Sequence, residues 1–370
     1  MNLFVPGRLC LFGEHSDWAA QYRQVNSAIQ PGYAIVVGTN QGIFAKVQLH
    51  RNLVFKTLNH SQTLELPMDE MLLETAKSNN FYSYVAGVAY QAKERYRVGG
   101  LAIDNYKMTL PLKKGLSSSA AICVLVARAF NRLYHLGLSI EEEMDLAYRG
   151  ERTTTSQCGR LDQACAYGNQ PILMTFNSDC EASRPKGYRY AQRHRHPLKI
   201  APLTVEQNLY LIIVDLAGSK DTRTILARLN QCYPIAKNTI QADVQKYLGE
   251  INAALIKQVV SALKSGDTVE IGRLMSLAQK EFDRHLIRAC PSQLTAPKLH
   301  SLLDHPPLQP YIYGGKGVGS QGDGTAQFIA RDRSSQIAAM SIIHRDFPLM
   351  RCYELDILPI KPTKLNNQNN

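Results

Sequence analysis

Residues 111–121 read PLKKGLSSSAA, a glycine and three serines set directly ahead of a strongly apolar, helix-patterned segment. The first turn of a helix carries backbone N–H groups with no intrahelical partner, and the macrodipole adds partial positive charge there. Phosphate groups bind such ends readily. Gly115 lets a ligand approach the backbone, while Ser117, Ser118 and Ser119 offer helix caps and hydroxyls for phosphate oxygens or a magnesium ion. Lys113 and Lys114 add charge at the mouth. The pattern is that of an anion cradle, and taken alone it also describes an ordinary serine-capped helix. It is not the G-x-x-x-x-G-K-[ST] loop, because no Lys-Ser or Lys-Thr follows a glycine at that spacing.

Working outward, Leu101 to Leu112 alternates at Met108, Leu110 and Leu112 and predicts a strand leading into the loop. Beyond the loop, Ala120 to Leu136 places Ala121, Ile122, Leu125, Ala129 and Leu133 on one face, and Gly137 closes this buried helix. Ser139 with Glu142 is a capping-box signature for a second helix, running to about Arg152. Glu151 lies at its far end, where the dipole disfavours a carboxylate unless a cation compensates it; an exposed glutamate is the plainer alternative. The following stretch, TTTSQCGRLDQACAYG, carries Asp162, which on its own is most simply a helix cap.

Toward the amino terminus, Leu3 to Val5 and Leu9 to Phe12 flank Pro6-Gly7 and predict strand, turn, strand. The loop GEHSDW then presents Glu14, His15 and Asp17 within four residues, just past a strand end, where binding residues tend to sit. A polar turn is the alternative. A metal set of these three is disfavoured, because successive residues of an extended segment face opposite ways. Tyr33 to Val37, Ile43 to Leu49 and Leu53 to Leu58 predict an antiparallel meander broken at 38–42 and 50–52, and Phe81 to Tyr96 a helix stopped by Gly99-Gly100.

Past the loop region, Ile172 to Phe176 and Asn208 to Leu216 predict strands, and 217–226 a polar loop entering a helix, with Lys220, Asp221 and Arg223 as secondary site candidates. Helices are expected at 238–264 and 267–288, then a Pro-rich connection at Pro306-Pro307. Residues 311–324, YIYGGKGVGSQGDG, contain six glycines and predict a backbone-dominated loop. A strand at Ala326 to Ala330, a helix at Ser334 to His344 and a last strand at Cys352 to Leu358 follow.

With 370 residues, two domains are expected, 1–200 and 201–360, with 361–370 a disordered tail. Hydrophobic content of 45% and charged content of 20% suit a water-soluble chain, and no apolar run approaches the roughly 18 residues a membrane span needs. No basic-then-apolar leader opens the chain, so a cytoplasmic location is expected. Eight cysteines without a C-x-x-C pair argue against a zinc site or a disulfide framework. Part of the formal charge of +11 lies in residues 184–199, RPKGYRYAQRHRHPLK, a solvated basic insertion. Without a recognised nucleic-acid module, nucleic acid is not an expected partner.

Three stretches stand in order: PGRLCLFGEHSDW, PLKKGLSSSAA and GGKGVGSQGDGTAQF. Together they resemble the three motifs of the GHMP kinase superfamily, and the first two are most similar to the galactokinase-type sugar kinases. The resemblance implies an α+β fold of two domains, an amino-terminal domain like ribosomal protein S5 domain 2 and a ferredoxin-like carboxy-terminal domain. It implies ATP-dependent phosphorylation of a small-molecule hydroxyl, that of a sugar and plausibly its anomeric one, with ATP and Mg2+ required. A mevalonate-type isoprenoid kinase and a catalytically silent regulator that binds sugar and ATP are the alternatives.

Carried over by position, the resemblance makes Asp162 the base or charge partner for the acceptor hydroxyl and Arg8 its basic partner. It puts the nucleotide phosphates on Lys114, Gly115, Leu116, Ser117, Ser118, Ser119 and Ala120, with Gly315, Gly317 and Gly319 in the third-motif loop. Ser118, or its neighbour Ser119, and Glu151 would hold magnesium, and Glu14, His15 and Asp17 would bond sugar hydroxyls. The chain departs from the family pattern at Lys113-Lys114, at Trp18 where tyrosine is common, and at Lys316, Gln321 and Asp323, where small residues and a cysteine are usual. The third-motif departures, Lys316, Gln321 and Asp323, bear on substrate specificity and on the usual magnesium arrangement.

Overall fold

The computed structural model describes residues 1–58, 60–80, 82–110, 115–156, 158–177 and 198–361. Lys113, Lys114, most of the basic insertion and the tail from 362 lie outside the described residues.

Along the chain, β1 (Asn2–Phe12) leads to a short helix α1 (Ser16–Ala19), then β2 (Gly32–His50), β3 (Leu53–Thr57) and β4 (His60–Leu66). Helices α2 (Met71–Lys77) and α3 (Ser83–Arg95) precede β5 (Gly100–Met108), and α4 (Ser118–Leu133) and α5 (Ile140–Thr153) follow it. After β6 (Ile172–Phe176), β7 (Leu198–Pro202) and β8 (Leu209–Asp215) come α6 (Thr222–Asn230), α7 (Thr239–Lys246), α8 (Asn252–Ser265), α9 (Thr268–Leu286), α10 (Pro291–Leu294) and α11 (Pro297–Leu303). The chain closes with β9 (Ile312–Gly317), β10 (Thr325–Ala330), α12 (Arg333–Asp346) and β11 (Arg351–Ile357). Among the described residues, no helix is long and apolar enough to cross a membrane.

The chain divides into two compact units. The first contains Met1–Leu9 and Val37–Asn169. In it the second half of β2 pairs antiparallel with β5, β5 runs parallel to β3, and β3 pairs antiparallel with β4. Helices α3, α4 and α5 pack on one another. Helix α4 is buried on almost every side, because its Ala, Val and Leu residues leave little polar surface to solvate. The full capping box starts α5: the Ser139 hydroxyl accepts from the Glu142 N–H, and the Glu142 carboxylate accepts from the Ser139 N–H.

The second unit contains Cys10–Val36 and the described residues from Gln170 onward. Here Gly32–Val36 of β2 pairs with β6, and β6 with β7. A separate antiparallel sheet runs β11-β8-β10-β9. Ile212, Val214, Phe328 and Ile343 centre one core, between this sheet and α12; Ile225, Leu229, Phe282 and Leu286 centre another, among the helices. Burying each such side chain contributes about 1.5–3 kcal/mol. A π-helical turn at Tyr247–Ile251 joins α7 to α8.

Several sequence expectations are corrected here. Residues 2–12 form one strand rather than two, because among the described residues β1 pairs with β2 alone, and an edge strand tolerates Pro6. Residues 38–42 do not break β2, which changes partner there, from β6 to β5, without turning. The meander is absent: β3 joins β5 and β4 instead. Helix α3 ends at Arg95, where Tyr96 turns extended, and Gly100 opens β5. The glycine-rich stretch 311–324 is a strand over its first half. Bare backbone at Gly314 lies against Gly272 of α9 so closely that a Cβ would collide with the Gly272 carbonyl oxygen.

Candidate active site

In the first unit the serine loop is built from backbone geometry rather than caps. Gly115 and Ser117 both have positive φ, 76° and 55°, and α4 then begins at Ser118 with no side chain capping it. The expected serine cap is therefore not formed. The Ser117 hydroxyl turns instead to Asp162 Oδ1, donating at 2.7 Å. Strand β1 holds the loop, since the Arg8 N–H donates to the Leu116 carbonyl at 3.0 Å. The buried Arg8 guanidinium pairs with the same Oδ1 of Asp162. Asp162 opens a 3-10 turn, Asp162–Tyr167, without capping it, which corrects the simple cap reading. Its side chain keeps 27% of its surface exposed, and Oδ2 takes no part in either bond.

Glu151 is not the exposed glutamate of the plainer alternative. It is 1% exposed, and its carboxylate accepts from Gln163 Nε2 at 2.8 Å, from the Ser156 hydroxyl at 3.4 Å and from the Ser119 hydroxyl. Burial pushes its pKa up, and these hydrogen bonds oppose the rise. The nearby Cys123 and Cys158 thiols are pushed up by burial and then by the Glu151 charge, so they stay protonated and unreactive. Among the described residues, no three His, Cys, Asp or Glu side chains group to hold a metal.

The second unit assembles a different cluster. Gly13 has φ of 92°, and a Cβ there would collide with the Tyr33 carbonyl oxygen, so the loop lies tight against β2. Asn252, the first residue of α8, ties it down by donating to the Ser16 hydroxyl and to the Tyr33 carbonyl, each at 2.9 Å. The Lys316 ammonium, 1% exposed on β9, pairs with Glu14 Oε1 and donates to the Gly317 carbonyl at 2.9 Å. Trp18 Nε1 donates to His15 Nδ1 at 3.0 Å, so the neutral ring carries its proton on Nε2. That Nε2 is buried with no hydrogen-bond partner among the described residues. Burial first, then the Lys220 and Lys316 charges, push the His15 pKa down to about 4, with the Ser320 carbonyl acting the other way. Asp17 sits in the first turn of α1 and is not free.

The third motif is braced by a hydrogen-bond chain. The Gly317 N–H donates to Gln279 Oε1 at 2.7 Å, Gln279 Nε2 donates to Asp283 Oδ1 at 2.8 Å, and Asp283 Oδ2 meets His300 Nε2 at 2.9 Å. Gly315 and Gly317 lie on β9, and Gly319 turns the chain with φ of 67°. Gln321 donates to the Gly317 carbonyl, and Asp323 accepts the Leu299 N–H, so both departures from the family pattern serve the loop itself. Asp221 caps α6 through the Arg223 and Thr224 N–H groups, and Arg223 stays exposed.

The Asp283 bond raises the His300 pKa to about 9. A raised histidine contributes stability that is complete below its unfolded value, near 6.5, and lost as pH climbs through 9. Thermal melts at pH 6 and 9.5 should therefore show a larger loss in the wild type than in His300→Gln. Equal losses would mean the bond does not couple to folding.

The geometry brings Arg8, Ser117 and Asp162 together, and Ser119 with Glu151, in one unit; in the other it brings Glu14 and His15 to Lys316. Two contacts were beyond sequence reasoning, Ser117 to Asp162 and Lys316 to Glu14. The only sequence signal for the second was a lysine placed among glycines.

Residues 83–169 match the family model of the GHMP kinases N terminal domain. A galactokinase from Thermotoga petrophila is 26% identical over 290 residues, covering 74% of this chain and 75% of its own length. Among solved structures, Lactococcus lactis galactokinase complexed with galactose superposes with a TM-score of 0.72 at 16% identity, covering 97% of this chain and 93% of that one. The Methanococcus jannaschii mevalonate kinase gives 0.67 at 16% identity, covering 97% and 98%. Fold and sequence relatives together define a phosphotransferase with an alcohol group as acceptor. The chain is galactokinase-like in sequence, carries the GHMP kinase N-terminal domain at residues 83–169, and has the two-domain α+β fold of the GHMP kinase structures.

Proposed function

We propose that the protein is an ATP-dependent sugar kinase that transfers the γ-phosphoryl group to a sugar hydroxyl, the anomeric one, in the cytoplasm. The observation that carries this reading is Asp162, bonded through a single carboxylate oxygen to both Arg8 and Ser117 beside the serine loop. Its second oxygen is suited to accept the acceptor's O–H and aim its lone pair at phosphorus. Arg8 offsets charge on the transferring group, and the loop 115–120, extended by Lys114, cradles the nucleotide phosphates through its backbone N–H groups. Phosphoryl transfer asks for this kind of positioning and charge neutralisation more than for covalent chemistry.

A buried carboxylate beside a serine hydroxyl fits a hard cation, which takes oxygen ligands and keeps several waters. Glu151 with Ser118 or Ser119 would hold Mg2+, which when bound neutralises phosphate charge. Glu14, His15 and Asp17 are the proposed sugar contacts. Sequence relatives named as galactokinases favour a sugar over mevalonate, although mevalonate kinases share the fold. The retained Arg8–Asp162 pair speaks against a silent regulator.

ADP release with Mg2+ and ATP should depend on a sugar when hexoses, pentoses, heptoses, uronic acids and mevalonate are compared, and NMR of the product should place phosphate on the anomeric oxygen. Turnover with mevalonate alone would overturn the reading, and sugar binding without turnover would favour the regulator.

A further inference from the structure

We propose that the acceptor carries an anionic substituent, a carboxylate or a phosphate ester, recognised by Lys316 and His15. The inference rests on the sugar-kinase reading and narrows its substrate class.

A neutral sugar hydroxyl is best held by a group that accepts its proton, and of the loop's two carboxylates, Glu14 and Asp17, it is Glu14 that stands beside His15 and Lys316. Here Glu14 is already engaged: it is buried and ion-paired with a lysine that is itself buried. Lys316 has three N–H donors, of which Glu14 and the Gly317 carbonyl take two. The Trp18 indole occupies the acceptor nitrogen of His15, so the ring can offer only its Nε2 proton, which the Ser320 carbonyl draws on weakly and no described residue accepts at full hydrogen-bond distance. At neutral pH that ring is uncharged, and the Lys220 and Lys316 charges both act on it. Around His15 and Lys316 the cluster is thus composed of donors under positive charge, with the Glu14 carboxylate neutralised. A buried N–H without an acceptor is costly, and a ligand group that only accepts hydrogen bonds is the complement that satisfies it. Lys316 and Trp18 are both departures from the usual family residues, and each removes an acceptor from the cluster: Lys316 takes Glu14, and Trp18 takes His15 Nδ1.

The test compares kcat/KM for glucuronic and galacturonic acid, for the 6-phosphates of glucose and galactose, and for the parent hexoses. One anionic class should exceed its parent roughly tenfold to a hundredfold, and which class does so names the substituent. The charge-balanced double variant Glu14→Gln/Lys316→Met should lose that preference, while a variant that kept it would overturn the role of Lys316. Calorimetric titration of the wild type with the same sugars reads the preference without any variant. Parent hexoses used as well as, or better than, both anionic series would overturn the inference and leave the kinase reading intact. If no sugar of any series is phosphorylated, both fall together.

Discussion

Asp162→Asn is expected to lower kcat by roughly a thousandfold, within the 10²–10⁴ range for losing a positioned proton acceptor. The change is nearly isosteric, and the amide oxygen can take the place of Oδ1, still accepting from Arg8 and Ser117. The amide nitrogen then replaces Oδ2 and presents protons where the acceptor hydroxyl needs a lone pair. KM for ATP should change little, because the loop 115–120 is untouched. Arg8 loses a charged partner, so melting temperatures are measured alongside and rates compared where both proteins are folded. A kcat within tenfold of wild type would remove Asp162 from the chemistry.

The second large effect is on stability. Glu14→Gln or Lys316→Met alone should cost about 3–5 kcal/mol, because either leaves an uncompensated charge in the interior. The double variant should recover most of that loss, since replacing both members of a buried pair is often close to neutral. Urea denaturation of the four proteins completes the cycle. Additive losses would mean that the two groups are not coupled in the folded protein.

Local chemistry made much of this molecule legible. The apolar face of α4 and the Ser139–Glu142 box each depend on residues within a turn of one another and appear where the pattern put them, while the strand before the serine loop ends at Met108, short of Leu110, and Leu112 lies outside the described residues. What failed depended on partners distant in sequence. Pro6 looks like a turn until β1 is known to be an edge strand, and 38–42 looks like a break until β2 is seen to exchange one neighbour for another. The glycines of 311–317 signal a loop unless Gly272, some forty residues earlier, is known to require bare backbone opposite it. The site divides the same way. Its residue types could be named from the motifs, but Asp162 and Glu151 each read alone as a cap or a surface carboxylate. The family resemblance pairs Asp162 with Arg8 and Glu151 with Ser118 or Ser119; only folding supplies Ser117 to the one and Gln163 to the other.

The π-helical turn at Tyr247–Ile251 has a consequence for how this chain can vary in length. A π turn closes its hydrogen bonds one residue further along than an α turn, so it holds one residue more than a regular helix would. Deleting one of these five residues would let a regular helix run from α7 into α8 with the later side chains kept in phase, whereas straightening the turn at its present length would displace each of them by about 100° around the axis. Asn252 would then swing away from Ser16 and Tyr33, and the loop bearing Glu14 and His15 would lose its tether. A perfectly regular helix of unchanged length would be the damaged one, and the irregularity acts as a phase setting for the residue that follows it.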